Sequence, residues 1–491
     1  MNRRRSLTAI ALAAAAVVFV ALSTGTAFAG QAADKYEPDN TYLQAKSLPS
    51  VSFHTFTDRN YDDWAKFTVT ATDTPWVIET LSMGPWTDTE LYVYDAAGAA
   101  ADSSLTYNDD TDWFSYSLSS SILFRPPHPG TYYVRVNDDD DQIGSYFLFL
   151  HKGIGRRVGG SNAVNVAVAA SKVQWSDTTN PEEGTDEGPL SVVVCNSAYP
   201  ADAVLASALA DRLSTTVLFC NKTSIPKASQ DEINRLLASD VWDDSHTQVY
   251  VVGSAGHVSS SVLRKINSLN NVYQVTRVSA ADMNALSVLI ANGDSGKWAN
   301  VTAASQPIFL VNGAATAEGL LAQTLASQNR GPLLFVNRNS VPASVQTAIL
   351  AMTATQIYII GGTASVGTGV TTWLAANKPG ATILRTSASG APALSVAVAS
   401  LAESKGWLDD QAMVLVGSKH LVEGACAVPM SMQAGHPLLI TSSTSLSAPV
   451  KAFIGDSGTL NEVSYAVGDT TAISPATFDK WRLWYHLPLG P

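Results

Sequence analysis

The chain has 491 residues, 46% of them hydrophobic and 15% charged, with a net charge of −12. That length exceeds one ordinary domain, and the apolar content supplies several cores. The acidic balance argues against a nucleic-acid surface, which requires a basic footprint, and three cysteines do not make a disulfide scaffold.

Residues 1–29 stand apart. Arg3-Arg4-Arg5 precede an apolar run from Leu7 to Leu22, and Ala27-Phe28-Ala29 follows. A basic start, an apolar middle and a small-residue site predict a secretory signal peptide cleaved before Gly30. No later segment is apolar for long enough to span a bilayer.

Residues 30–151 read as all-β. Candidate strands are 52–56, 64–70, 76–81, 90–95, 114–124, 131–137 and 145–151, separated by polar turns. Seven or eight short strands over this length predict a sandwich or jelly roll. Residues 30–150 hold 6 Lys and Arg against 19 Asp and Glu, so the acidity is concentrated here. Calcium takes six to eight hard oxygen ligands. Glu37, Asp39, Asp62 and Asp63 cluster, with Asn40 close by, and Glu37, Asp39 and Asp62 form the best candidate set; Asn108 to Asp112 and Asp138 to Asp141 are further clusters. None has EF-hand spacing, and turn-forming acids on a solvated face fit the same pattern.

Glu37-Pro38-Asp39-Asn40, Asp62-Asp63-Trp64-Ala65-Lys66-Phe67, Leu91-Tyr92-Val93-Tyr94-Asp95, Pro129-Gly130-Thr131-Tyr132-Tyr133-Val134-Arg135-Val136 and Gly144-Ser145-Tyr146 occur in this order. The module resembles the bacterial pre-peptidase C-terminal domain. The resemblance implies a non-catalytic accessory module, some of whose relatives bind calcium or matrix polymers.

From residue 152 one pattern runs three times, over 152–274, 275–382 and 383–491. An arginine opens an alanine-rich helix at Arg157, Arg277 and Arg385. A strand–helix–strand unit follows, starting at Ser191, Pro307 and Met413. A third apolar strand then ends in a glycine turn at Gly253, Gly361 and Gly468. The glycines are 108 and 107 residues apart. Repeat one carries an extra Pro/Gly-rich, acidic loop near 177–189. Strands alternating with helices predict an α/β layer with a short parallel sheet, and near-continuous apolar strands predict helices on both faces. Cys195 and Cys220 end two expected neighbouring strands, so a disulfide and two buried thiols are both open; Cys426 lies on a helix and reads as core.

The pattern resembles the type 2 cell-wall-binding repeat of Gram-positive surface proteins, over about 152–491. The resemblance implies three copies around a pseudo-threefold axis that hold an anionic secondary wall polymer, teichoic-acid-like or polysaccharide. It also assigns binding to the opening arginine and to a Pro-Ile-Leu-Leu-like second strand. That strand is Pro332-Leu333-Leu334 in repeat two and Pro437-Leu438-Leu439 in repeat three, and it has decayed to Thr216-Val217-Leu218 in repeat one. A second arginine, usual in the family shortly after the first, is missing from every copy. An acid recurs at Asp202, Glu318 and Glu423, in the first helical turn where the helix dipole favours it. An arginine can grip a phosphate or carboxylate bidentately, or it can brace its own repeat through that acid.

Catalytic readings are weak. Gly293-Asp294-Ser295-Gly296 and Gly455-Asp456-Ser457-Gly458 look like serine-nucleophile loops, but no base–acid partner accompanies them. There is no HExxH, paired CxxC, GxSxG or Walker loop. His257, His420 and His436 read as scattered. The sequence therefore predicts a secreted, non-enzymatic protein at the cell surface or wall, with a β-sandwich ahead of three α/β repeats. It needs no cofactor beyond a possible calcium in the β module. A surface-layer scaffold with degenerate repeats is the alternative, and an accessory protein of a wall hydrolase a remoter one.

Overall fold

A computed structural model describes residues 32–57, 62–82, 87–109, 118–138, 144–175, 189–237, 247–294, 297–302, 305–408, 411–433, 435–456 and 460–483. The leader, Asp110 to Asp112, Asp139 to Asp141, the insert at 177–188, Ser295, Gly296, Ser457 and Gly458 lie outside these residues.

The N-terminal module is a β-sandwich. One sheet orders its strands Lys46–Ser47, Asp63–Val69, Gly130–Asp138, Thr89–Asp95 and Thr106–Asn108. The other orders Val51–Thr55, Ser145–Lys152, Trp76–Ser82 and Ser121–Phe124. All pairs are antiparallel except the short first one. Alternate residues of each strand turn inward. Phe67, Ile78, Leu91, Val93, Tyr132, Val134, Tyr146 and Leu148 meet between the sheets. A short helix, Ala96–Ala101, was not expected from sequence; Asp95 caps it by accepting from the Gly98 N–H at 2.6 Å.

Each repeat contains a four-stranded, all-parallel sheet. Repeat one orders Val217–Cys220, Ser191–Asn196, Gln248–Val252 and Gln274–Val278. Repeat two orders Leu333–Val336, Ile308–Asn312, Gln356–Ile360 and Thr382–Thr386. Repeat three orders Leu438–Thr441, Val414–Gly417, Ser464–Val467 and Gly155–Val158. The arginine-bearing strand thus completes the sheet of the preceding repeat, and the ring closes because Gly155–Val158 pairs with Ser464–Val467. Arg157, Arg277 and Arg385 do not open helices. The helices begin later, at Ala163, Met283 and Ala391. A strand that immediately precedes a helix carries no sequence mark of which sheet edge it joins.

Helices Pro200–Arg212, Thr316–Gln328 and Gly424–Gln433 pack on one another in all three pairings, forming the pseudo-threefold centre. Close approach there requires a small residue after each acid. A Cβ on Gly319 would lie 2.9 Å from Val204, and one on Gly424 would lie 2.6 Å from Leu320. Ala203 holds the equivalent place in repeat one. The helices Ala163–Gln174, Met283–Asn292 and Ala391–Ser404 cover the second strand of their own repeats. Cys195, Cys220 and Cys426 are buried free thiols. Cys195 pairs in register with Phe219, and Asn196 with Cys220. Cys195 and Cys220 therefore fall on opposite faces of the sheet.

Candidate functional site: three strand-end crevices

In each repeat the chain leaves the first strand toward one side of the sheet and returns on the other. Ligands of open α/β sheets bind beyond the carboxyl ends of the strands at such a reversal. Three landmarks converge there in every copy. The acid starts the helix after the first strand, the glycine ends the third strand, and the arginine stands on the fourth.

The glycines are required twice over. Gly253, Gly361 and Gly468 have φ of +122°, +120° and +136°, which side chains rarely adopt. A Cβ on them would also meet the carboxylates of Asp202 at 2.6 Å, Glu318 at 2.5 Å and Glu423 at 2.9 Å. Asp202 and Glu423 are buried against the turns, at 5% and 1% exposure, and Glu318 is half-buried.

The arginines hold the turn by its carbonyls. Arg277 donates from Nη1 to Gly253 O and from Nη2 to Val258 O, both at 2.7 Å. Arg157 donates from Nη1 to Gly468 O and Asp469 O at 3.0 Å and from Nη2 to Ile473 O at 2.8 Å. Arg385 donates from Nη1 to Gly361 O at 2.7 Å. Bracing through the matched acid is thus replaced by bracing through backbone oxygen. Burial lowers the Arg157 pKa to about 10 despite nearby Asp469, and lowers those of Arg277 and Arg385.

The acids differ in partner. Asp202 Oδ2 pairs with His257 Nδ1 at 2.6 Å, and Tyr199 stacks on that imidazole at 3.7 Å between centroids. Glu318 accepts from the Ser365 hydroxyl. Glu423 lies 3.7 Å from His420 Nδ1, and its Oε2 has no hydrogen-bond partner. Burial raises the pKa of all three, and burial with nearby Asp469 carries Glu423 to about 8. His257 and His420, scattered in sequence, therefore occupy matching crevices. Asn196 and Asn312 end the first strands of repeats one and two. Each clamps its crevice, donating from Nδ2 to His257 O at 2.7 Å and to Ser365 O at 2.9 Å. Their recurrence at the end of the first strand was the available signal.

The Pro-Leu-Leu strands sit elsewhere. Leu333, Leu334, Leu438 and Leu439 are at most 3% exposed, and the carbonyls of Pro332 and Pro437 accept from Phe309 and Val414 within the sheets. These residues face the core rather than a ligand.

In the β module, Glu37 and Asp39 gather with Asp63, not with Asp62. Asp63 begins a strand and points inward, whereas Asp62 lies just before it and pairs with Arg135 at 3.8 Å. Burial, then Glu37, raises the Asp39 pKa to about 7; burial raises that of Asp63, against a 2.6 Å hydrogen bond from Tyr146.

Three parallel-sheet units joined at a helical centre, each with the same strand-end crevice, define a modular binding scaffold. The comparisons with known proteins place it: the chain carries cell wall binding domain 2 repeats behind a bacterial pre-peptidase C-terminal domain. Residues 157–263 and 277–371 match the first family and residues 61–138 the second. The third copy lies outside the matched residues but keeps the sheet order. The solved structure of Cwp6 from Clostridium difficile is similar over 90% of this chain and 69% of its own, with a TM-score of 0.58 and 17% identity. Cwp8 from Clostridium difficile is similar over 68% of this chain and 52% of its own, with a TM-score of 0.56 and 19% identity. The N-acetylmuramoyl-L-alanine amidase LytC of Bacillus subtilis is 24% identical over 215 residues, 44% of this chain. The chain spans only 38% of the amidase's length. No helix among the described residues is long and apolar enough to cross a membrane.

Proposed function

We propose that this is a secreted, non-catalytic surface protein held on the wall by an anionic secondary polymer, which the repeats bind at their strand-end crevices. The observation that carries the reading is the threefold recurrence of an arginine at a topological switch point. Its guanidinium is oriented by backbone carbonyls, and a guanidinium fork matches phosphate and carboxylate groups. Arg385 makes one carbonyl hydrogen bond among the described residues, so it keeps the most donors for a ligand, followed by Arg277 and Arg157. Three weak sites on one rigid body would add by avidity. The similarity to the amidase supports a shared wall-binding part rather than shared chemistry.

The test is co-sedimentation of the mature chain with purified wall, before and after the anionic polymer is stripped. Binding that disappears with the polymer supports the reading. Equal binding to stripped wall, or none to either, overturns it. The whole mature chain is the right reagent, because Gly155–Val158 completes the last sheet and the β module packs on it.

For the β module we propose a calcium ion held by Glu37, Asp39 and Asp63. Buried carboxylates in contact are costly unless protonated or neutralised by a cation, and hard oxygens suit calcium. A rise in Tm with calcium that Asp39→Asn abolishes is the expected result; an unchanged rise in the variant would refute it.

A further inference from the structure

We propose that the crevice of repeat three is a transition-metal site, with His420 Nδ1, Glu423 and Asp469 as ligands and Zn2+ as the ion that suits them. The three groups offer one nitrogen and two oxygens within 4.8 Å of one another. Imidazole nitrogen and carboxylate oxygen are both zinc ligands, and three protein ligands leave a fourth position for water or an anion.

The first argument is comparison within the molecule. Asp202 and Glu318, the equivalent acids, are each satisfied by an internal donor, His257 and Ser365. Glu423, at 1% exposure, is at least as buried as Asp202 and more so than half-buried Glu318, yet its Oε2 has no hydrogen-bond partner. A second carboxylate, Asp469, faces it. The Asp469 backbone N–H and the Arg157 guanidinium offset only part of the burial cost. Arg157, the cation beside both carboxylates, commits its hydrogen bonds to backbone carbonyls rather than to them, which leaves Glu423 Oε2 open to a metal ion.

The second argument is the hydrogen-bond order around the imidazole. Asp469 Oδ1 accepts from the Thr471 hydroxyl at 2.7 Å and from the backbone N–H groups of Thr471 and Ala472, also at 2.7 Å. Having given its proton to Asp469, the Thr471 hydroxyl can only accept from His420 Nε2, 3.2 Å away. That fixes the tautomer: Nε2 carries the hydrogen, and in the neutral ring Nδ1 presents its lone pair toward Glu423. The gap from Nδ1 to Glu423 Oε1 is 3.7 Å, too long for a hydrogen bond. It is close to the roughly 3.3–3.5 Å between two ligands of a tetrahedral zinc ion with bonds of about 2.0–2.1 Å. Thr471 thus orients both His420 and Asp469, as outer-shell partners of metal ligands do. His420 is 38% exposed, which provides an entry path.

The experiment is calorimetric titration of the metal-stripped mature chain with Zn2+ in a non-chelating buffer near neutral pH. The intact chain should bind one equivalent that His420→Ala and Glu423→Gln both lose or bind at least about tenfold more weakly. His128→Ala, an exposed histidine of the β module outside both carboxylate clusters, should keep that equivalent. His420 is partly exposed, so its alanine variant is expected to fold, and circular dichroism confirms that the same protein is titrated. Zinc binding of equal stoichiometry and affinity in His420→Ala, or no binding by the intact chain, overturns the proposal. The readout is independent of polymer binding, so failure of either reading leaves the other testable.

Discussion

Arg156 and Glu79 form a buried ion pair that joins the β module to the repeats. The guanidinium donates from Nε and from Nη2, the latter to Oε1 at 2.8 Å, and the two residues are 5% and 2% exposed. Tyr465 of repeat three donates to the same carboxylate at 3.0 Å, and Phe149 and Tyr465 flank the guanidinium. Val77 and Leu123 of the β module share a core with Leu415, Leu439 and Trp481. The two parts are therefore fixed to one another by a paired charge within an apolar seam.

Removing one member of such a pair leaves the other buried and uncompensated. Glu79→Ala is expected to destabilise the protein by about 3–5 kcal/mol, read as a fall in the urea midpoint. Glu79→Gln should cost less, since it still accepts from Arg156. A loss below about 1 kcal/mol for Glu79→Ala would mean that water reaches Arg156 in the folded state.

At the glycine turns, Gly361→Ala faces two penalties, the positive φ and the clash with Glu318. Together they predict a loss of roughly 1–3 kcal/mol. Glu318→Ala should cost little alone, because it removes a half-buried acid whose pKa partial burial has raised. In the double variant the clash is relieved and the φ strain stays. Thermal melts of the four proteins should thus show partial recovery, with a coupling energy that a purely conformational penalty would not give.

The order of elements was legible in the sequence because apolar strands, alanine-rich helices and glycine turns recur at a nearly fixed period. The crevice was only partly legible. Arg277 and Gly253 are 24 residues apart and meet because parallel pairing sets Arg277 beside Val251, a register that no local pattern encodes. Asp63 rather than Asp62 joins the acidic cluster because the strand phase turns it inward. The Pro-Leu-Leu strand recurs for packing, and recurrence alone could not separate a core strand from a ligand-gripping one.

His151 provides a pH prediction at the same seam. Its Nδ1 is sealed without a hydrogen-bond partner. Burial, with Arg482 and Arg156 adding repulsion, lowers its pKa from 6.5 to about 4. The unfolded chain then takes up the proton first as pH falls. The contribution to stability is whole above pH 6.5 and is lost progressively down to about pH 4. His151→Gln should flatten the stability profile across that window by about 1–3 kcal/mol relative to the parent. Parallel curves for the two proteins between those limits would contradict the assignment.

The three arginines separate bracing from binding. Arg157 holds three carbonyls, Arg277 two and Arg385 one. A charged hydrogen bond to a buried carbonyl contributes about 1.5–3 kcal/mol, less where water can replace the donor. Alanine at Arg157 should therefore unfold the protein most readily, and alanine at Arg385 least. Polymer binding should respond in the other order per unit of stability lost, because Arg385 commits the fewest donors to the fold. Arg385→Ala is expected to keep a near-parental Tm while its sedimentation with wall weakens and becomes more salt-sensitive. If its wall binding matches the parent while Arg157→Ala loses binding only where it has unfolded, the arginines are braces alone and the polymer is held by other groups.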